Sequence, residues 1–187
     1  EAMKELQDLA DIHIQEGSKD NALLVYHQAI KLDPTNLPLR LKALTLAKGI
    51  APQQENVSEY LKLAELYFDK GDAKMGEQLT IEVFHIAPTG ISSNKLLLSL
   101  LQRCIPSKKL FKYYIYLIEY FNNQNLLEEA ILAGEKAMNI DISDTHLLES
   151  LGRVYSKSGN FVKAISLYNN LINIYKKQDD IKHILES

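Results

Sequence analysis

The chain has 187 residues, of which 46% are hydrophobic and 24% are charged, and its formal net charge is −3. These values are typical of a globular protein with a sizeable core. The acidic balance and the absence of a basic block argue against a nucleic-acid partner, and the longest apolar runs, such as residues 96–101, are too short to cross a bilayer.

The cysteine content and the N-terminal sequence bear on the cellular location of the protein. Cys104 is the single cysteine, so no disulfide can form within the chain, and a reducing, cytoplasmic location is favoured. No secretory signal is visible. A chain that begins with the residues EAMKEL is expected to be a piece of a longer protein.

Strand patterns are nearly absent from the sequence. Glycine and proline separate apolar stretches of roughly 12–17 residues that have helical spacing. The pattern predicts an all-α fold of ten helices, near residues 3–16, 20–32, 36–48, 53–69, 72–86, 92–103, 107–122, 126–139, 144–157 and 161–177, with an eleventh that begins within 179–187. The loops between them are short, so neighbouring helices must be antiparallel. Gly17, Gly71 and Gly159 stand where a turn with a positive φ is expected.

Four segments share one spacing of large and small residues. The first has Leu6-x2-Leu9-Ala10-x2-His13, then Ala22-x3-Tyr26, Ala29 and Pro34. The second has Tyr60-x2-Leu63-Ala64-x2-Tyr67, then Gly71, Gly76 and Pro88. The third has Tyr114-x2-Leu117-Ile118-x2-Phe121, then Ala130 and Ala137. The fourth has Leu148-x2-Leu151-Gly152-x2-Tyr155, then Gly159 and Ala164-x3-Tyr168.

This pattern resembles that of the tetratricopeptide repeat (TPR) family, although every copy lacks the family's tryptophan. The resemblance implies a right-handed superhelix of helical hairpins in one domain over residues 1–187, with repeat units at about 3–36, 57–90, 111–144 and 145–178. It also implies a protein that binds other proteins. The small residues of the pattern would allow two helix backbones to approach closely.

The copies are unevenly spaced. Pro34 and Pro88 are 54 positions apart, and Ile142 follows Pro88 by another 54, whereas a family repeat has about 34 residues. The excess is enough for one helix and a turn, so the segments 37–49 and 91–103 are predicted to be inserted helices. A short hairpin after the first insert is favoured by Pro52, which suits the first turn of a helix. An extended return strand over 49–56 is the alternative.

Six aromatic residues lie within the segment 110–121. On a helix they form two stripes, one with Tyr114 and Phe121 and one with Tyr116 and Tyr120. A helix that is apolar on two faces is expected to be buried between neighbours. Core packing is therefore the preferred interpretation, and a partner surface formed by Tyr116 and Tyr120 is the alternative.

No motif for catalysis, for a cofactor or for a metal is present in the sequence. Some TPR domains hold an acidic peptide terminus with a carboxylate clamp, but the matching positions here are Gln7 and Asp11, which do not fit that clamp. The resemblance instead assigns to the inner face an acidic and apolar stripe. Together with the two tyrosines, the predicted partner-binding residues are Asp11, Leu61, Glu65, Phe68, Ile115, Tyr116, Glu119 and Tyr120.

The function that these observations favour is a non-enzymatic scaffold for protein–protein interaction within a larger protein or assembly. Its partner would be a protein segment with basic and apolar side chains, and a homo-oligomer is compatible with the pattern. The alternative is a regulatory solenoid that senses a peptide or a small ligand. A helical enzyme is disfavoured, since no constellation of catalytic residues is evident.

Overall fold

The computed structural model describes residues 1–50, 53–86 and 88–186, except for the side chains of residue 53 and of residues 178–186. In these ranges the chain forms one 3-10 helix, Gln53–Asn56, and ten α-helices. The α-helices are α1 Ala2–Gln15, α2 Lys19–Leu32, α3 Leu37–Ala47, α4 Val57–Asp69, α5 Ala73–Ile86, α6 Ile91–Leu101, α7 Lys108–Asn123, α8 Leu127–Met138, α9 Thr145–Lys157 and α10 Phe161–Glu186. No strand occurs among the described residues, and the predicted all-α class is confirmed.

Two predicted boundaries are wrong. The helix expected at 53–69 is divided, because residues 53–56 form the 3-10 helix before α4 begins at Val57. The eleventh helix expected within 179–187 is not separate, since α10 continues to Glu186. Nothing in the sequence from Phe161 onward interrupts it, because that segment contains neither glycine nor proline.

Two compact units divide the chain, residues 1–104 and 105–187. The first contains the hairpins α1/α2 and α4/α5 together with α3 and α6, and the second contains the hairpins α7/α8 and α9/α10. Each hairpin overlaps one of the segments 3–36, 57–90, 111–144 and 145–178, whose assignment as repeat units stays a prediction. Their arrangement as one continuous domain stays a prediction.

One turn is used in all four hairpins. Gly17, Gly71 and Gly159 have φ values of 77°, 85° and 79°, and Asn125 takes the same place between α7 and α8 with a φ of 57°. In each turn the next residue donates its amide to a carbonyl five positions earlier, as in Ser18 to His13 at 2.8 Å. This is the Schellman arrangement, which glycine adopts without strain and asparagine tolerates.

The inserted helices are anchored in the same way. In α3, Arg40 donates from Nε to the carbonyl of Pro34 at 2.6 Å. In α6, Asn94 donates from Nδ2 to the carbonyl of Pro88 at 2.7 Å. Both donors are buried and both follow their proline by six positions. The 54-residue period read from the sequence therefore has a structural counterpart at the start of each insert.

The two inserted helices, α3 and α6, each pack against helices of the neighbouring hairpins. Helix α3 packs against α2 and α4, and α6 packs against both helices of the α4/α5 hairpin, as α9 does on α7 and α8. The described part of the 49–56 connection holds a turn and the 3-10 helix rather than an extended strand. Pro52, which favoured the short hairpin, lies outside the described residues.

The aromatic segment belongs largely to the core of the second unit. Tyr114 is 4% exposed and Phe121 is fully buried, and Tyr113 is buried as well. Tyr116 and Tyr120 are only half-buried, and their rings stack with centroids 6.2 Å apart. Burial, followed by the nearby Tyr120, raises the pKa of the Tyr116 hydroxyl.

Candidate functional site

The first unit separates the predicted partner-binding residues into accessible and buried ones. Asp11 is exposed, and Glu65 is half-exposed with an ion pair of 2.7 Å to Lys62. Leu61 and Phe68 are buried, at 3% and 9% exposure. Their prediction as partner contacts is therefore corrected, since neither side chain presents a surface in this structure.

The neighbours of α4 explain this burial. Helix α4 is packed by α3, α5 and α6, so the two inserts cover faces that a plain pair of helices would leave open. The ring of Phe68 lies where a Cβ on Gly76 of α5 would be placed, at 2.7 Å, and the guanidinium of Arg103 lies 4.9 Å from the ring centre. Phe68 is thus a packing residue between α4 and α5.

In the second unit, four predicted residues lie along α7. Glu119 is exposed and its carboxylate is 3.2 Å from Nε2 of His146 on α9. Ile115 and the stacked pair Tyr116 and Tyr120 are half-buried. These four side chains keep part of their surface accessible to solvent, and their role as partner contacts stays a prediction.

Beside Glu119, α7 and α9 border a small polar depression of about 230 Å³. Its lining residues are Ile118, Glu119, Asn122, Asn123, Ser150 and Arg153. Arg153 lies 3.4 Å from Glu149 on its own helix. Its lining includes carboxylate, amide, hydroxyl and guanidinium groups, so the depression can hydrogen-bond a peptide backbone or polar side chains.

A larger and more apolar groove lies in the first unit, and we call it the α1–α3 groove. Its volume is about 630 Å³. Three helices contribute its lining residues, which are Asp11, Ile14, Tyr26, Pro38, Leu41, Lys42, Thr45 and Leu46. Aliphatic and aromatic surface therefore predominates, and one carboxylate and one ammonium group are present in it.

Within this groove, Asp11 and Tyr26 form a hydrogen-bonded polar pair. The Tyr26 hydroxyl donates to Oδ1 of Asp11 at 3.3 Å. Burial raises the pKa of Tyr26, and the adjacent Asp11 carboxylate raises it further. The hydroxyl therefore remains a donor at neutral pH, and the carboxylate retains further lone pairs that can accept from a ligand.

The wall formed by α3 depends on how that helix starts. Asn36 caps it, because its Oδ1 accepts from the amide of Leu39 at 3.1 Å. Pro38 follows in the first turn, where it needs no backbone donor. Leu39, Ala43 and Leu44 then face the core, which leaves Leu41 and Thr45 on the groove side.

Sequence reasoning assigned Asp11 to a partner surface but missed the residues of α3. A signal was available: the leucines of the segment 37–47 lie on two opposite faces of the helix, so one face cannot bury them all. Leu41 and Leu46 are the half-buried members of that set.

Nothing among the described residues indicates catalysis. In the searched part of the chain, no group of three or more His, Cys, Asp or Glu side chains could hold a metal ion. None of the helices described combines the length and the hydrophobicity needed to span a bilayer. The grooves can hold a ligand by apolar contact and hydrogen bonding.

In a comparison with known protein families, two segments of the chain match a family model. Residues 6–36 and residues 147–182 each match a family model described as tetratricopeptide repeat. No curated protein matches the chain.

Several solved structures are similar over most of their length. MamA is 22% identical, with 96% of this chain and 95% of that chain covered and a TM-score of 0.46. The MamA fragment 41-end from Desulfovibrio magneticus RS-1 is 15% identical, with 96% and 98% covered and a TM-score of 0.39. YrrB, described as a TPR protein with an unusual peptide-binding site, is 17% identical, with 97% and 91% covered and a TM-score of 0.38. At these low scores, the comparison transfers no site or partner to this chain.

Proposed function

We propose that this chain, in which residues 6–36 and 147–182 match tetratricopeptide repeat models, is a non-enzymatic scaffold that binds a segment of another protein in the α1–α3 groove. Tetratricopeptide repeats support a role in protein–protein interaction in general. The single observation that carries the specific proposal is an apolar groove with one partly satisfied carboxylate in its wall.

The lining of the groove defines the chemistry of the partner segment. Apolar side chains of the segment would gain about 25 cal/mol for each Å² that Ile14, Leu41 and their neighbours remove from water. A lysine or arginine of the segment would donate to Asp11, which retains free lone pairs beside the Tyr26 hydroxyl. The proposed partner is thus an apolar segment with a basic residue.

A second contact is proposed on the second unit. Glu119 and the stacked pair of Tyr116 and Tyr120 offer an acidic group beside aromatic surface, and Ile115 adds apolar area. Besides Asp11 and Glu119, Glu65 of the first unit is a third acidic group proposed to contact the partner. Tyrosines suit such a surface because they contribute contact area at a small cost in conformational entropy.

The wider setting of the scaffold is part of the proposal. We propose that the protein acts within a multiprotein assembly, as repeat proteins with several binding surfaces do. We also propose a cytoplasmic location, which is supported by the lone and buried Cys104.

A variant pair tests the groove. Partners are captured from the native source with wild-type protein, and the same capture is repeated with Ile14→Glu/Leu41→Glu. We expect the groove variant to lose its partner, because two charges would be buried against apolar side chains. The matched control is Leu24→Glu/Leu132→Glu, which places the same charges at exposed leucines outside the groove. Equal capture by both variants would refute the groove as the binding site.

The role of Asp11 is tested separately by kinetics. Asp11→Lys should slow association with the captured partner and flatten its dependence on salt, because a steering charge is reversed. Association rates that are unchanged at every salt concentration would remove the basic residue from the description of the partner.

One observation favours ligand sensing as a second candidate function. The volume of the groove, about 630 Å³, lies within the range of small-molecule sites, which is about 300–1,000 Å³. Thermal-shift screening against metabolites and short peptides would distinguish the two functions. A shift that disappears in Ile14→Glu/Leu41→Glu would support sensing, and no shift with any compound would support the scaffold alone.

A further inference from the structure

A further cavity lies inside the first unit, between α2, α3 and the start of α4, and we call it the α2–α4 pocket. Its volume is about 300 Å³. Its apolar part is formed by Leu23 of α2 and by three buried residues of α3, which are Ala43, Leu44 and Ala47. On α3 these residues lie opposite those that line the α1–α3 groove, and the described lining of the two cavities has no residue in common. The pocket is therefore a separate site.

Most polar groups of the pocket lie where the chain enters α4. Glu55 and Asn56 come from the 3-10 helix, and Ser58 and Glu59 come from the first turn of α4. His27 of α2 also lines the pocket. Carboxylate, amide, hydroxyl and imidazole groups therefore stand beside the apolar surface of α2 and α3.

Asn56 is the buried polar residue of this lining. Its exposure is 8%, and Nδ2 of its side chain has no hydrogen-bond partner in the described structure. Although Asn56 directly precedes α4, its side chain makes no capping hydrogen bond to that helix. Buried polar groups are normally paired, because an unpaired donor destabilises the folded state. We therefore expect Nδ2 to donate to an acceptor that a ligand brings into the pocket.

The two carboxylates of the pocket differ in their partners. Glu59 accepts from Nη1 of Arg40 at 2.5 Å, and Nε of the same guanidinium donates to the carbonyl of Pro34 at 2.6 Å. The charge of Glu59 is thus balanced within the protein. Glu55 is exposed and has no ion pair among the described residues. Its carboxylate is available to a cation.

From these groups we propose that the α2–α4 pocket recognises a lysine or arginine residue within a peptide segment. The main-chain carbonyl of that residue accepts from Nδ2 of Asn56, and its cation pairs with the carboxylate of Glu55. The methylene groups of the basic side chain pack on the apolar surface that includes Leu23 and Ala47. Both polar contacts are required, because a ligand without a carbonyl leaves Asn56 unpaired and a ligand without a cation leaves Glu55 unpaired.

A titration followed by NMR tests the two contacts with small model compounds. The basic probes are the N-acetyl, N-methylamide derivatives of lysine and of arginine, which have both a main-chain carbonyl and a cation. The same derivative of norleucine lacks the cation, and 1,5-diaminopentane lacks the carbonyl. We expect the basic probes to shift the signals of residues 55, 56 and 58 saturably, including the side-chain amide of Asn56. Each control compound should bind about 2–10-fold more weakly, since it lacks one contact.

Substitutions test the residues that make these contacts. Asn56→Leu should weaken the binding of the lysine probe about tenfold, because one hydrogen bond is lost. Glu55→Gln should weaken it about 2–5-fold, because an exposed ion pair is lost. Glu55 is exposed, so Glu55→Gln tests the site even if Asn56→Leu does not fold. The matched control is Glu5→Gln, which changes an exposed glutamate of α1 outside the pocket and should bind the probe as the wild type does.

Three results would overturn the proposal. The first is the absence of a saturable shift at residues 55, 56 and 58 with either basic probe up to the limit of its solubility. The second is equal affinity for the lysine and the norleucine compounds. The third is unchanged affinity of the lysine probe in Glu55→Gln. Ile14→Glu/Leu41→Glu, which alters only the α1–α3 groove, should give the wild-type shifts, so this site is tested independently of the groove.

Discussion

The contact between Gly134 and Leu151 leads to a prediction whose sign depends on the background. A Cβ on Gly134 would lie 2.5 Å from Cδ1, 3.0 Å from Cδ2 and 3.1 Å from Cγ of Leu151. Carbon atoms in contact are normally about 3.5–4.0 Å apart, so the overlap is about 1 Å. Leu151 is fully buried and has no solvent into which it could move.

Two opposing effects set the size of the change. Overpacking of a buried site costs about 1–3 kcal/mol, and replacement of a helical glycine by alanine contributes about 1 kcal/mol of stability. Gly134→Ala should therefore lower the free energy of unfolding by about 0–2 kcal/mol. In a Leu151→Ala background the overlap is absent, and the same change should raise the free energy of unfolding by about 1 kcal/mol.

Urea unfolding followed by circular dichroism measures both effects in a double-mutant cycle. Leu151→Ala alone should cost about 2–5 kcal/mol, and Leu151→Val is the milder background if that variant is too unstable to analyse. Gly152→Ala is the matched control: its Cβ would lie 2.9 Å from the Tyr168 ring, which is half-exposed and can move outward, so a smaller loss is expected. If Gly134→Ala has the same effect with leucine and with alanine at position 151, the reasoning is wrong.

Two further predictions concern the second unit. Phe121→Ala should lower the free energy of unfolding by about 3–5 kcal/mol because Phe121 is fully buried. Tyr116 is half-buried, so Tyr116→Ala should lower the free energy of unfolding clearly less in the same assay. Equal losses would contradict the two-stripe description of α7. Hydrogen bonds from Lys163 at 2.9 Å and Tyr155 at 2.8 Å lower the pKa of Glu135 from its ordinary value of 4.5. The stability that the Glu135 carboxylate contributes is therefore complete above pH 4.5, and it is lost as the pH falls through the lowered pKa. The stability difference between wild type and Glu135→Gln should therefore shrink in acid. A difference that is constant with pH would exclude this origin.

Most of the fold could be predicted from local patterns. Helical spacing, glycine turns and the repeated large and small residues depend on a few neighbouring positions, so their physical meaning does not require knowledge of distant contacts. The turn at Asn125 was harder to recognise, because asparagine tolerates a positive φ without demanding it. The extra helices were predictable from the 54-residue period alone.

The candidate site was predictable only in part. Asp11, Glu119 and the pair Tyr116 and Tyr120 retain accessible surface, whereas Leu61 and Phe68 are buried. Positions taken from a regular family repeat assume that consecutive hairpins pack directly on one another. The inserts α3 and α6 break that assumption, because both pack against α4 and change which of its faces are open.

The sequence by itself determined the all-α class and three glycine turns, which follow from patterns within short segments, and the presence of two extra helices, which follows from the 54-residue period. Only the tertiary structure decided which apolar side chains are covered and which remain open. Leu9 and Leu151 illustrate the difference: they occupy the same place in the repeat pattern, yet one is 41% exposed and the other is fully buried. Leu151 packs at Gly134 of α8, and a repeated local pattern carries no information about such a contact with another helix.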